Sequence, residues 1–177
     1  MMGFNHRLVT GSFVFAFTGS FFATAIACSG ATFPDSIEKI IPVRHNKIHR
    51  TISHWFPIYL IPISLIYYFL TTSGVFLLNN NQWFALIGNG INDMVIKTIG
   101  ANLALWFLVG CLAHIVEDSI CGKIPIINPT KPKVHFRLFY TNTPFEYIFS
   151  FCISMLVLIA KVPTFAIFVK SSLMKIM

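Results

Sequence analysis

Four apolar stretches, at about 8–28, 55–78, 98–121 and 145–169, alternate with polar connections along the 177-residue chain. Each is long enough to cross a hydrocarbon core of about 30 Å at about 1.5 Å per helical residue. Charged residues make up only 11% of the chain against 55% hydrophobic ones, where a soluble domain carries about 25% charged residues. The sequence therefore predicts a single all-α integral membrane domain over 1–177, with four transmembrane helices. The first stretch is long for a signal peptide and is read as part of the working chain. The pairs Gly11-Ser12 and Gly19-Ser20 are candidate breaks in it. Pro57 falls in the first turn of the second helix, and Pro62 and Pro163 are expected to bend helices 2 and 4.

The net charge of +7 is unevenly placed. Lys39, Arg44, Lys47 and Arg50 lie between the first two apolar stretches, and Lys123, Lys131, Lys133 and Arg137 between the last two. The positive-inside rule puts both connections, 32–54 and 122–144, in the cytoplasm. The basic residues then meet anionic lipid, and nucleic acid is excluded as a partner because most of the chain lies in lipid. The four cysteines form no C-x-x-C pair and are read as reduced, buried residues.

Against this background the acids of the third stretch stand out. An acid at the centre of a spanning helix costs about 2.5–3.5 kcal/mol on insertion scales and usually marks a working site. His114 and Asp118 are four residues apart and share one helix face, so they can grip one metal ion if other segments complete the set. Both fall near the end of their helix that adjoins the basic connections. Asp35, His49 and His54 in the first connection are on the same side of the membrane and are the candidate partners. Oxygen and imidazole donors together suit zinc, manganese or iron. Glu117, one position away on another face, is expected to be a solvated helix-end acid or a partner of Arg50. Glu117 and Glu38 are the candidate general bases, and Arg50 is a candidate phosphate or carboxylate partner.

Several of these residues fall into an ordered pattern. Phe33-Pro34-Asp35 is followed by His49-Arg50-Thr51-Ile52-Ser53-His54, then by Gly110-x-x-x-His114-x-x-x-Asp118, then by Gly122-Lys-Ile-Pro125-Ile-Ile-Asn-Pro129. The pattern resembles the YdjM family of membrane-bound metal-dependent hydrolases. The resemblance runs from His6 to about Glu146, each of which has a counterpart there. It implies a bacterial inner-membrane protein with a divalent metal, and it adds His6 and Glu146 to the ligand candidates. The family often carries a second acid two residues after the first, where this chain has Ile37 followed by Glu38, so the number of metals stays open. A more distant likeness is to helical zinc-dependent phospholipases C and related nucleases, since Asp35 and His49 are fourteen residues apart.

The expectation is thus a zinc-dependent hydrolase acting on an anionic lipid or phosphoester at the membrane surface, through a polar cavity near one membrane face. In such a site the metal activates water and polarises the scissile group. His6 poses a geometric problem: a single spanning helix over 8–28 would leave it about 30 Å from the other ligands, whereas a hairpin broken at a Gly-Ser pair would bring it back. The competing reading is a non-catalytic membrane partner or scaffold in an oligomer or larger complex, its polar cluster holding helices together at about 0.6–2 kcal/mol per contact. Metal content separates the two.

Overall fold

The computed structural model describes residues 1–40, 52–73, 78, 81–83, 85, 92–125, 133–134 and 138–162. Six α-helices are described: α1 Gly3–Thr18, α2 Phe21–Gly30, α3 Phe33–Ile40, α4 Pro57–Thr72, α5 Asp93–Cys121 and α6 Pro144–Lys161. A 3₁₀ turn at Ile52–His54 precedes α4. A two-residue antiparallel pair joins β1 Ile124–Pro125 to β2 Lys133–Val134, with Ile124 opposite Val134. His45, His49, Arg50, His135 and Pro163 lie outside the described residues.

The first apolar stretch is not one spanning helix. It is a hairpin of α1 and α2, packed against each other, turning at the second of the two candidate breaks. Gly19 adopts φ +63° and its N–H closes on the Phe15 carbonyl at 2.8 Å, a left-handed helix end that glycine tolerates without strain. Ser20 then caps α2, its side chain accepting from Ala23 N at 3.2 Å. Gly11-Ser12 does not break the helix. Ser12 returns its hydroxyl to Leu8 O at 2.7 Å, and Gly11 faces α2, where a Cβ would stand 2.8 Å from Cys28 Sγ.

Two helices are long and apolar enough to cross a membrane, α5 with 29 residues and α6 with 18; α4 is a shorter apolar helix. Pro57 lies in the first turn of α4, and Pro62 is accommodated inside the helix. The interior and the surface are partly inverted relative to a water-soluble fold. Asn5, His6, His54, His114 and Glu146 are fully buried, while Phe4, Phe17, Ile61, Leu65, Tyr68, Ile148, Phe151 and Leu156 are exposed. Apolar side chains on the outside and hydrogen-bonded polar ones within are what a hydrocarbon solvent selects.

The closest packing is between α2 and α5. Ala23, Ala27 and Ala31 recur every four residues and are fully buried. A Cβ on Gly110 of α5 would fall 2.0 Å from Ala27 O, and one on Gly30 would fall 2.0 Å from Phe107 O. Small residues let the two backbones touch, as membrane helix pairs commonly do. Beneath the polar end, Cys111 and Ile115 of α5 pack with Tyr59 of α4 and Ile124 of β1.

Candidate metal centre

The start of α1, the end of α2 with α3, the turn before α4, the end of α5 and the start of α6 meet at one end of the bundle. Five of the chain's six acids, Asp35, Glu38, Glu117, Asp118 and Glu146, gather there through hydrogen bonds and ion-pair contacts. Imidazoles and the Met1 amine face them. The sixth acid, Asp93, lies in the first turn of α5 at the opposite end, where a carboxylate complements the helix dipole.

Within this end, Asp35, His54, His114 and Asp118 offer one donor atom each, all within 4.8 Å of one another, and the group could hold a metal ion. The two histidines approach with Nε2 atoms 3.2 Å apart. Asp35 Oδ1 is 3.4 Å from His54 Nε2 and 3.5 Å from His114 Nε2. Asp118 Oδ2 is 3.6 Å from His54 Nε2 and 3.9 Å from His114 Nε2. Four atoms placed tetrahedrally at 2.0–2.1 Å from a zinc ion stand about 3.3 Å apart, so these separations fit a small divalent cation.

The tautomers strengthen that fit. His114 Nδ1 lies 2.7 Å from Ala31 O. A carbonyl only accepts, so Nδ1 carries the proton and a neutral ring presents a lone pair at Nε2. His54 Nδ1 lies 3.1 Å from Glu38 Oε1, which assigns its proton in the same way. Two Nε2 lone pairs then face each other among carboxylate oxygens, an arrangement that repels unless a positive charge sits between them. A proton satisfies two of these atoms; a cation satisfies all four. Burial disfavours charge on both Asp35 and His54. For Asp35, contacts with His114 and His54 outweigh burial and hold the carboxyl well below the usual carboxylate range. With no cation at the site, Asp35 and Glu38 outweigh burial and raise the His54 imidazole above its ordinary 6.5, so a metal ion binding there would displace a proton from Nε2.

Each donor is set by a local reason in the sequence. His114 and Asp118 share a face of α5 by their four-residue spacing. The α2–α5 backbone contact brings Ala31 O within reach of His114. His54 is fixed by its turn: the Tyr59 hydroxyl donates to Ser53 O at 2.8 Å, and Ser53 Oγ donates to Glu38, the same carboxylate that takes His54 Nδ1. Such outer partners orient metal-binding imidazoles and raise their basicity.

The other predicted site residues take different places. His6 is at the site because of the hairpin: its ring centroid is 3.9 Å from that of His114, and its Nε2 is 3.3 Å from Asp118 Oδ1. It stands beside the group of four and outside it. Glu117 is not the solvated acid expected from the sequence. It is 6% exposed because α1 folds over it, and its two oxygens take His6 Nδ1 at 2.6 Å and the Thr10 hydroxyl at 2.8 Å. Glu146, in the first turn of α6, is a clamp on the start of α1. It accepts from Met2 N at 2.5 Å, Asn5 Nδ2 at 2.7 Å and Asn142 N at 2.6 Å. Asp118 Oδ1 also accepts from the Met1 amine. Thr10, Asn5 and the Ala31 carbonyl were not singled out in the sequence, and Ser53 entered only as a member of the His49–His54 pattern. Ala31 has a sequence signal too, as the last of three alanines at four-residue spacing.

The contacts make His6 a brace on the Asp118 carboxylate and Glu117 an anchor for His6. Replacing His6 with glutamine is expected to weaken divalent-metal affinity by about 10–100-fold, the usual effect of losing an outer partner, with one ion still bound at saturation. Isothermal titration of the metal-stripped variant measures both quantities.

Comparison with protein-family models, with curated proteins and with solved structures gives no match.

Proposed function

We propose that the chain is a membrane-bound, zinc-dependent hydrolase acting on an anionic lipid or another phosphoester at the membrane surface, as the motif resemblance to the YdjM family implies. The observation that supports this best is the convergence of two imidazole Nε2 atoms and two carboxylate oxygens at the spacing of zinc ligands. Asp35, His54, His114 and Asp118 would hold the ion. When bound, it supplies Lewis acidity to a scissile phosphoryl or carbonyl oxygen and makes water a better nucleophile near neutral pH.

The remaining work belongs to the protein's own groups. Glu38 and Glu117 each hold an imidazole Nδ1, so they act through His54 and His6 instead of meeting water directly. The Asp35 side chain is 33% exposed while those of His54, His114 and Asp118 are at most 1% exposed. Water and substrate therefore reach the cluster from the Asp35 side, and the closed remainder keeps bulk water out. Depth fits a headgroup substrate. A 29-residue α5 is about 43 Å long against a core of about 30 Å, so with Asp93 and Lys97 outside at one end, His114 to Asp118 fall at the other edge of the core. The connections rich in Lys and Arg adjoin that end, which by the positive-inside rule supports a cytoplasmic-side site.

The test is hydrolysis of anionic phospholipid vesicles by the purified protein with chelator and with zinc restored. Turnover that stops on chelation and returns with zinc is expected. Chelator-insensitive or absent turnover overturns the hydrolase reading, and a metal-free, stably folded preparation favours the scaffold.

A further inference from the structure

The helix α3 is amphipathic in an inverted sense. Its inward side carries Asp35 and Glu38, which meet His54 and His114, with Pro34 buried beside them. Phe33, Ile37 and Ile40 follow one another at intervals of four and three residues and so share a different face. Phe33 is 36% exposed and Ile40 77% exposed, with Lys39 exposed between them in sequence. Ile52, in the turn that packs on α3, is a further exposed apolar side chain at 58%. Water would be a poor solvent for such a strip, and α3 has already spent its acids on the interior.

We propose that α3 is a membrane-surface helix forming the threshold of the metal centre, and that the substrate is an amphiphile drawn from the lipid leaflet. Its polar group would lie over Asp35 and its hydrocarbon along Phe33, Ile37 and Ile40. This rests on the metal-centre reading and narrows its substrate to a membrane lipid, setting aside small water-soluble phosphoesters. Three observations select lipid as the occupant of the strip. The open side of the cluster is at Asp35, on α3 itself, so whatever enters passes this helix. An exposed lysine on a short apolar-faced helix is the pattern of a helix lying in the headgroup region. Lys39, Arg44, Lys47 and Arg50 follow one another in the sequence from α3 onward, a positive run that attracts anionic headgroups.

The test uses the full chain in nanodiscs containing phosphatidylglycerol. A bimane fluorophore is placed at Ile40→Cys on a Cys28→Ser/Cys152→Ser background, the other two cysteines being buried. Brominated lipids are expected to quench it, and aqueous iodide is not. In parallel, a photo-crosslinking benzoylphenylalanine replacing Phe33 is expected to yield phospholipid adducts by mass spectrometry. Quenching by iodide alone, quenching by neither agent, or adducts only to a second protein chain overturns the proposal. Neither readout requires hydrolysis or bound metal. A water-exposed α3 in a metal-loaded protein therefore sinks this inference alone, whereas a lipid-immersed α3 in a protein that binds no metal sinks the reading on which the substrate claim rests.

Discussion

His114→Ala is expected to abolish stoichiometric divalent-metal binding by the purified protein while leaving its helical content unchanged. His114 Nε2 stands 3.2–3.9 Å from the other three donors, so its loss removes one corner of the group and leaves two carboxylates and one imidazole. The fall in affinity should exceed the roughly 10–100-fold attached to outer partners. The helix itself should survive, because alanine is the best helix former and the apolar layer below, Cys111 and Ile115 with Tyr59, does not involve the imidazole. A destabilisation of about 1–3 kcal/mol is expected from leaving the buried Ala31 carbonyl without its donor. Elemental analysis and circular dichroism of the same preparation check both halves. Unchanged metal content in a folded His114→Ala protein would remove the basis for a metal centre at these four residues.

What could be read in advance follows the range of the forces involved. The one-face pairing of His114 and Asp118 depends only on helical period, and the meeting of Asp35 and His54 with that pair followed from placing both basic connections on one side of the membrane. The apolar runs gave α4, α5 and α6 because chain composition dictates them locally. The hairpin was less legible. Gly11-Ser12 and Gly19-Ser20 look alike in sequence, and what separates them is that Gly11 faces Cys28 of the returning helix. The misreading of Glu117 has the same origin: its place on α5 leaves it free for solvent until α1 folds back and presents His6 and Thr10. Glu146 enters from the sequence only as a ligand candidate; its three N–H donors come from the start of α1 and from Asn142, contacts that no local pattern announces.

The second large effect is expected far from any ligand. Gly110→Ala adds a Cβ 2.0 Å from Ala27 O, a backbone atom that cannot rotate away. Restoring ordinary contact at 3.4 Å requires α2 and α5 to separate by about 1.4 Å. Overpacking of this kind costs about 1–3 kcal/mol, and more when backbone must move. The separation also acts on the site, because the 2.7 Å bond from His114 Nδ1 to Ala31 O would stretch past hydrogen-bond reach and release the ring orientation. A metal site loosened by about 1 Å performs poorly even with every ligand present, so Gly110→Ala should lose both thermal stability and at least about 10-fold in metal affinity. Gly100→Ala on the same helix is the control. Nothing lies within 4 Å of its added Cβ, and replacing a helical glycine by alanine favours the helix by about 1 kcal/mol. Thermal melts and metal titrations of the two variants should therefore diverge in both measurements. Equal behaviour would mean that α2 and α5 do not touch through backbone, and the route by which Ala31 reaches His114 would be lost with that contact.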